Sequence, residues 1–452
     1  MPRRLGAILA VAFGVGLSVL DSAVANVALP AIGAQLGVSS ADSIWIVNAY
    51  QLAVVVAILP FSALGETVGY RRVYLWGLAL FTFASACCAF AGSFAALVAA
   101  RVLQGFGAAA VTSVNTTLIR FIYPRAQLGR GMGVNATVVA VSSVAGPAVA
   151  AGLLSVGPWP WLFAVNLPIG AIALWLCVRF LPRNPVPAAA PRPRWSDMAL
   201  NALVFGLLMA SVEGFSHGLD RRLAMLGMAA VLVVGFFFVR RQSRAAHPLL
   251  PFDLLRIPVF SVSLLTSVCS YLAQMLSMVA LPFYLLHAFG FDQTTVGLLL
   301  TAWPAVIMIV APAAGVLVGR FHPGTLAGTG LAAMTAGLAA LALLPAQPDK
   351  WDMVWRLVLG VAGFALFQSP NNSMLIASAP AERSGSASGM LATARLIGQT
   401  SGAALMALFF HLVPTHATRM ALWCAALASA VGCAVSFARL PLPLPEALVR
   451  RK

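Results

Sequence analysis

Charge is what this sequence has least of. Only 9% of its 452 residues are charged, against about 25% in a typical soluble domain. Acids are the scarcer sign, 12 against 28 Lys and Arg, and lysine occurs only as Lys350 and Lys452. This excludes a solvated or disordered acidic chain. Period-2 alternation of polar and apolar residues is missing, which argues against a transmembrane β-barrel. Neither lysine lies in a glycine-rich phosphate loop, so an ATP-driven pump has no motor here. The six cysteines (Cys87, Cys88, Cys177, Cys269, Cys424, Cys433) fall within apolar runs, and none has metal-ligand spacing with histidine. They read as small packing residues. No metal, haem or other cofactor is expected. No nucleophile has a partnering base, so no enzymatic activity is expected.

What fills the chain is apolar sequence, 61% of all residues. Runs of about 20 apolar residues recur, the length of a helix that crosses a bilayer. The expectation is an all-α polytopic membrane protein with fourteen spans. Their cores are 5–29, 43–65, 73–92, 95–119, 132–155, 161–181, 197–216, 223–240, 258–286, 294–319, 325–345, 352–378, 385–411 and 418–438. The net charge of +16 then needs no nucleic acid, because the basic residues sit in the short loops between runs. With the N-terminus inside, 21 Lys and Arg fall on the cytoplasmic side, five outside, and two, Arg101 and Arg395, within spans. That bias predicts both termini in the cytoplasm. Arg3-Arg4, an apolar core and Ala23-Val24-Ala25 imitate a cleaved secretory signal. A signal would leave a soluble remainder, and the composition is not that of a soluble chain.

The halves repeat. Shifted by 256 residues, 101–146 aligns with 357–402 without a gap and shares 12 of 46 positions. Asn115/Asn371, Ser113/Ser369 and Thr137/Thr393 are among them. Parallel six-helix halves related by an axis along the membrane normal produce such similarity in transporters. The plan is 6 + 2 + 6: a bundle over 1–181, a segment 182–256 with two added helices (197–216 and 223–240), a second bundle over 257–438 and a basic tail, 439–452. The linker Pro182 to Trp195 is too rich in proline for a helix.

One acid lies inside the first apolar run. Asp21 follows about sixteen mostly apolar residues, and a carboxylate in the hydrocarbon costs about 2.5–3.5 kcal/mol on insertion scales. It is therefore a functional candidate, with a helix-packing acid as the bland alternative. By the helix rise, Asp21 lies roughly 12 Å below the outer end of span one, and Arg101 roughly 9 Å below the outer end of span four. The two charges share a depth. On span four, Arg101, Gln104, Gly105, Ala108, Thr112 and Asn115 fall within about 60° of one direction. Such a polar stripe is expected to line a cavity rather than to face lipid.

Four stretches resemble a known family, the major facilitator superfamily, and within it the fourteen-helix drug:proton antiporter group. Leu20-Asp21…Asn26-Val27-Ala28-Leu29-Pro30 is similar to that group's first-helix signature. Gly14, Ser18, Asp21, Ala25 and Ala28 share one helical face there, suited to close packing beside a cavity. Ser62-Ala63-Leu64-Gly65-Glu66-Thr67-Val68-Gly69-Tyr70-Arg71-Arg72 resembles the superfamily's loop motif, with Glu66 where Asp is usual and Ser62 where Gly is usual. Gly69 permits the tight turn, and Glu66 pairs with an Arg or caps a neighbouring helix to latch the inward gate. The second-half copy, Gly315 to Arg320, has no acid. Arg101-x-x-Gln104-Gly105 resembles the motif whose buried Arg is implicated in proton coupling. Gly133…Ser142-x-x-x-Gly146-Pro147, followed by Trp159-Pro160-Trp161 to Asn166-Leu167-Pro168-Ile169-Gly170, looks like the antiporter signature of span five. Small residues there allow tight packing and a bend at Pro147.

In the second half, Tyr271 and Gln274 share a face of span nine with Met278. Gln368, Asn371 and Asn372 flank Pro370, and Arg395 lies near mid-membrane on a face with Gln399. These residues, with Asn115, are candidates for contact with substrate, or equally for interhelical hydrogen bonds. Glu213 reads as interfacial, and the six histidines sit near span ends. What the resemblance implies is a proton-coupled efflux antiporter in a bacterial inner membrane, exporting amphipathic, cationic compounds by alternating access. It would act as a monomer with Asp21 and Arg101 coupling the proton. The alternative is an exporter of one metabolite, such as an amino acid or other carboxylate, with Arg101 and Arg395 binding the carboxylate. A non-transporting receptor on the same scaffold would call for soluble interaction domains or long tails, and the sequence shows neither.

Overall fold

The computed structural model describes residues 2–38, 40–124, 127–182, 195–216, 221–243, 251–291, 293–345, 349–380, 383–413 and 416–441. The linker from 183, most of the tail and the side chain of Glu213 lie outside the described residues. Among the described residues there is no strand, and fourteen long helices account for most of them. They are α1 (Pro2–Leu36), α2 (Trp45–Val68), α3 (Tyr70–Ala89), α4 (Phe94–Ile122), α5 (Leu128–Val156), α6 (Asn166–Phe180), α7 (Trp195–Ser216), α8 (Arg221–Gln242), α9 (Pro258–Phe283), α10 (Gln293–Leu317), α11 (Pro323–Ala342), α12 (Lys350–Ser378), α13 (Ser384–Leu412) and α14 (Ala417–Ala438). Eleven stretches of the described residues are long and apolar enough to cross a membrane.

Local chemistry sets the ends. Ser93 caps α4 by accepting from the Ala96 amide at 3.3 Å. His322 does the same for α11, its Nδ1 accepting from the Gly324 amide at 3.0 Å, and Pro323 fills the first helical position. Gly69, at φ 99°, makes the turn between α2 and α3 in a conformation that side chains resist. Pro168 cannot donate to the Ala164 carbonyl, and the sixth span breaks at Val165 into a turn, Trp161–Ala164, followed by α6. Helix α1 continues to Leu36, beyond the expected span end at 29.

The repeat is visible in the packing. In the first six helices the main neighbours are α1 with α4, α5 and α6, α2 with α4, and α3 with α4 and α6. Adding eight to each label gives the main neighbours of α9–α14: α9 with α12, α13 and α14, α10 with α12, and α11 with α12 and α14. The groups meet through α2 against α13 and α5 against α10, again partners by the same shift. Helices α7 and α8 pair with each other, and α7 touches α2 and α13. Trp76, Phe83, Trp175, Phe236, Ile309 and Leu427 point outward, more apolar surface than a water-soluble protein exposes.

The helix directions put the start of α1, the end of α2, the start of α13 and the end of α14 on one face of the bundle, called here the termini face. There the two groups are closed on each other along both seams. Gly315 of α10 lies so close to α5 that a Cβ built on it would stand 2.5 Å from the Gly129 carbonyl.

Candidate functional site

Asp21 and Arg101 meet inside the first six-helix group. The carboxylate of Asp21 is 1% exposed and the guanidinium of Arg101 is wholly buried. Arg101 Nη1 donates to Asp21 Oδ2 at 2.5 Å and to Gln104 Oε1 at 2.6 Å, and its Nε donates to the Ile46 carbonyl at 3.0 Å. Asp21 Oδ1 accepts from Gln104 Nε2 at 2.8 Å and from Asn166 Nδ2 at 2.7 Å. Ser85 Oγ accepts from Gln104 Nε2 at 2.8 Å. The guanidinium lies 4.3 Å from the Tyr50 ring centroid and 5.6 Å from that of Phe163. Its Nη2 has no hydrogen-bond partner among the described residues.

Each of these neighbours donates to the carboxylate, and hydrogen bonds to an ionised acceptor are the stronger kind. Removing two ions from water costs several kcal/mol each, and the pair persists because geometry and added hydrogen bonds offset that cost. Protonating Asp21 would cancel the attraction and leave Arg101 with neutral acceptors alone. The α4 stripe is not an open lining here. Helices α1, α2 and α5 cover it: a Cβ on Gly105 would stand 2.5 Å from the Tyr50 carbonyl, and Asn115 Nδ2 donates to Asn135 Oδ1 at 2.8 Å. The small face of α1 is likewise buried, and Gly146 of α5 packs on Ala23 so closely that an added Cβ would overlap it. Pro147, next to it, faces outward.

The second constellation lies at the termini face. Glu66 Oε1 accepts from the Ser386 amide at 2.6 Å, in the first turn of α13, and Oε2 accepts from Arg383 Nη1 at 3.4 Å. A carboxylate is favoured at a helix N-terminus. Arg383 Nη2 also donates to Asp253 Oδ1 at 2.9 Å. Arg120 of α4 complements this from the other sign. It donates to the carbonyls of Ile376 at 2.9 Å and Ala379 at 3.0 Å, at the C-terminal end of α12, and to Ser384 Oγ at 2.7 Å. Ser62 Oγ donates to the Gly385 carbonyl, and the hydroxyls of Thr116 and Ser388 touch. The first group thus offers an anion to one helix start of the second and a cation to one helix end. Arg71 stays within its own group, donating to the Val178 carbonyl at 2.6 Å, and Arg72 is exposed.

The second-half candidates separate. Gln368 Nε2 donates to Tyr271 Oη at 3.3 Å, and the Tyr271 ring packs edge-on against Phe364. Gln274 Oε1 is buried without a partner among the described residues. Asn371 is an interhelical residue. Its Oδ1 accepts from Arg439 Nη1 at 2.7 Å and its Nδ2 donates to Ser267 Oγ at 2.8 Å. Arg439 also donates to Ser263 Oγ at 3.0 Å and Ser436 Oγ at 2.8 Å, with no acid beside it among the described residues. Burial pushes its pKa down to about 10. Arg395 is exposed and without a partner among the described residues. It lies seven residues, about two turns, from Ser388 on the same face of α13, so it points into the space between the groups.

The sequence motifs contain Asn166 and Gln104, but nothing in them indicated that both donate to Asp21. Tyr50, Ser85, Arg120 and Arg383 carried no signal beyond residue type. Equal depth together with the family resemblance did put Asp21 and Arg101 within reach of each other.

The sequence profile of the Major Facilitator Superfamily matches residues 11–253 and 263–452. The chain is 52% identical over 447 residues to the uncharacterized transporter YebQ of Escherichia coli, covering 99% of this chain and 98% of that protein. It is 31% identical over 413 residues to the multidrug resistance protein Stp of Mycobacterium tuberculosis, covering 89% and 75%. It is 28% identical over 410 residues to the riboflavin transporter RibZ of Clostridioides difficile, covering 91% and 89%. The structure superposes on the crystal structure of the human organic anion transporter MFSD10 with a TM-score of 0.68 at 15% identity, covering 96% of this chain and 100% of that one.

Proposed function

The chain belongs to the Major Facilitator Superfamily, a family of membrane transporters of small molecules, and we propose that within it this protein is a proton-coupled exporter of amphipathic compounds. It crosses a bacterial inner membrane fourteen times with both termini in the cytoplasm, as in the fourteen-helix drug:proton antiporter group, and works as a monomer by alternating access.

The observation that carries the reading is the sealed pair of Asp21 and Arg101. With the termini face in the cytoplasm, the seams described above close the inner side. A proton arriving from outside neutralises Asp21 and releases Arg101 from it. Arg101 then leans on Gln104, the Ile46 carbonyl and the Tyr50 ring, all on α2 or α4. Those helices also carry Glu66 and Arg120, which hold the inner seam. Loss of the pair therefore reaches the latch through the helices that hold both. Relatives named for multidrug resistance support a loosely specified apolar cargo.

Arg395 favours a second reading for the cargo. Asp21 is fully engaged, so the unpaired charge facing the space between the groups is a cation. That suits a carboxylate-bearing metabolite or amphiphile better than a cationic drug.

Uptake into inverted vesicles tests both readings, with ethidium as the cationic probe and fluorescein as the anionic one. Nigericin collapses the pH gradient and valinomycin the potential, each alone. The expected result is gradient-driven uptake that disappears with nigericin and in Asp21→Asn. Full activity of Asp21→Asn would refute the coupling role. Uptake of fluorescein alone, lost in Arg395→Gln, would select the second reading.

A further inference from the structure

Helix α2 touches both constellations. Near its start, the Ile46 carbonyl and the Tyr50 ring hold Arg101. In its last turns, Ser62 and Glu66 hold α13. Pro60 stands between them. Proline has no N–H, so the Val56 carbonyl four residues back has no donor in its own helix. An unpaired carbonyl at membrane depth is costly.

The missing donor comes from outside the six-helix group. Asn201 of α7 is wholly buried, and its Nδ2 donates to the Val56 carbonyl at 2.8 Å. Asn201 Oδ1 has no partner among the described residues, so the side chain is held here through its donor. Helix α7 lies against α2 and α13, along the seam between the groups. It is fastened to α8 where both reach the termini face. There Arg241 Nε donates to Asp197 Oδ1 at 2.6 Å, and Arg241 Nη2 donates to Ser196 Oγ at 2.6 Å. The two added helices are thus one unit that grips α2 where its own ladder is broken.

We propose that Asn201 is a positioning residue that stands in for the amide Pro60 lacks, and that through it the α7–α8 pair stiffens α2 between the proton site and the latch. The inference rests on the reading of Asp21 and Glu66 given above. With the bond made, α2 moves as one rod, and a displacement at Tyr50 reaches Glu66. Without it, Pro60 is a loose joint, and the proton site and the latch move independently. The inserted pair, which has no role in the 6 + 2 + 6 plan itself, acquires one.

A double-mutant cycle tests the proposal, because Pro60→Ala restores the amide and makes the Asn201 donor redundant. The variants are Asn201→Leu, Pro60→Ala and both together, compared with the parent. Two readouts are taken. One is pH-gradient-driven ethidium uptake into inverted vesicles. The other is the pH dependence of disulfide formation between cysteines placed at Thr116 and Ser388, in a background without the six native cysteines. In the parent background, Asn201→Leu should lower coupled uptake about tenfold and flatten the pH dependence of cross-linking, whereas in the Pro60→Ala background it should change either by less than about twofold. Equal losses in both backgrounds, or no loss in either, would overturn the proposal. A merely structural Asn201 would lower the yield of folded protein without rescue by Pro60→Ala. If Asp21→Asn retains full uptake, the coupling reading fails by itself, and the rate of cross-linking at one fixed pH, changed by Asn201→Leu in the parent background but not with Pro60→Ala, still decides whether Asn201 stiffens α2.

Discussion

The first six helices and the last six share every main pairing, but they are charged very differently. The first group buries Asp21 against Arg101. A shift of 256 residues puts Ser277 and Leu357 at the corresponding places, and neither is ionic. The buried charge of the second group is Arg439, near the termini face, and neutral side chains hold it. The two seams differ in the same way. Glu66 closes the seam of α2 with α13 by charge, and Gly315 closes the seam of α5 with α10 by bare contact. The repeated scaffold has the same packing in both copies, while the fully buried ion pair stands in one; the Arg356–Asp352 pair of the second group is partly exposed. At the seams the second half supplies two helix ends, the Arg383 guanidinium and the Gly315 surface.

The sharpest way to break this comparison is to remove one buried cation from each half. Arg101→Met orphans Asp21 and should lower stability by about 3–5 kcal/mol, as breaking a buried pair does. Adding Asp21→Asn should restore most of that stability without restoring gradient-driven transport. Arg439→Met orphans no charge, only neutral groups, and should cost about 1–3 kcal/mol. Thermal melts in detergent measure all three, and equal costs for the two arginines would erase the asymmetry.

The seams give the next largest effects. Gly315→Ala sets a Cβ 2.5 Å from a backbone oxygen that cannot turn aside. It should open the seam of α5 with α10 at a cost of about 1–3 kcal/mol, and salt should not change that. Glu66→Gln weakens a charge-assisted contact beside the partly exposed Arg383. It should cost about 1 kcal/mol, less in high salt, because screening has already weakened the contact. Cross-linking across each seam at two salt concentrations separates the two cases.

The smallest expected effect concerns His322. Burial and the nearby Arg439 push its pKa below 6.5 in the folded protein. Between that folded value and 6.5 the unfolded chain binds more protons, so stability is lost as pH falls through this window. The proton also removes the acceptor that caps α11. His322→Asn keeps a capping oxygen and should flatten the fall of the melting temperature as pH drops below 6.5 by a small but measurable margin.

The helices were legible because hydropathy reports lipid contact directly, and the repeat because identical small and polar residues recur at one fixed offset. The shared depth of Asp21 and Arg101 followed from the rise per residue and the alternating direction of the spans, and the family resemblance set both helices in one half. Other contacts were not legible, for physical reasons. Asn166 reaches Asp21 only because the break at Val165 sets where α6 begins. Arg439 counts as an ordinary inner-side charge until α14 is packed, and then Asn371 has a partner that is not substrate. Glu66 was expected to pair with an Arg or to cap a neighbouring helix, and it does both, but nothing local shows that its partners lie 317 and 320 residues away. The Val56 carbonyl is orphaned by a proline visible in the sequence, but the donor that answers it sits 145 residues later on a helix whose docking no periodicity reveals.

The closure of Asp21 on every side also bears on energy conservation in the cell. Its carboxylate is 1% exposed, covered by donors and by the aromatic rings that flank Arg101. In this conformation the Asp21 carboxylate is closed to solvent on both sides of the bundle. Under the coupling proposed above, a copy at rest would exchange no proton at this site and would not dissipate through it the electrochemical gradient that other machinery maintains.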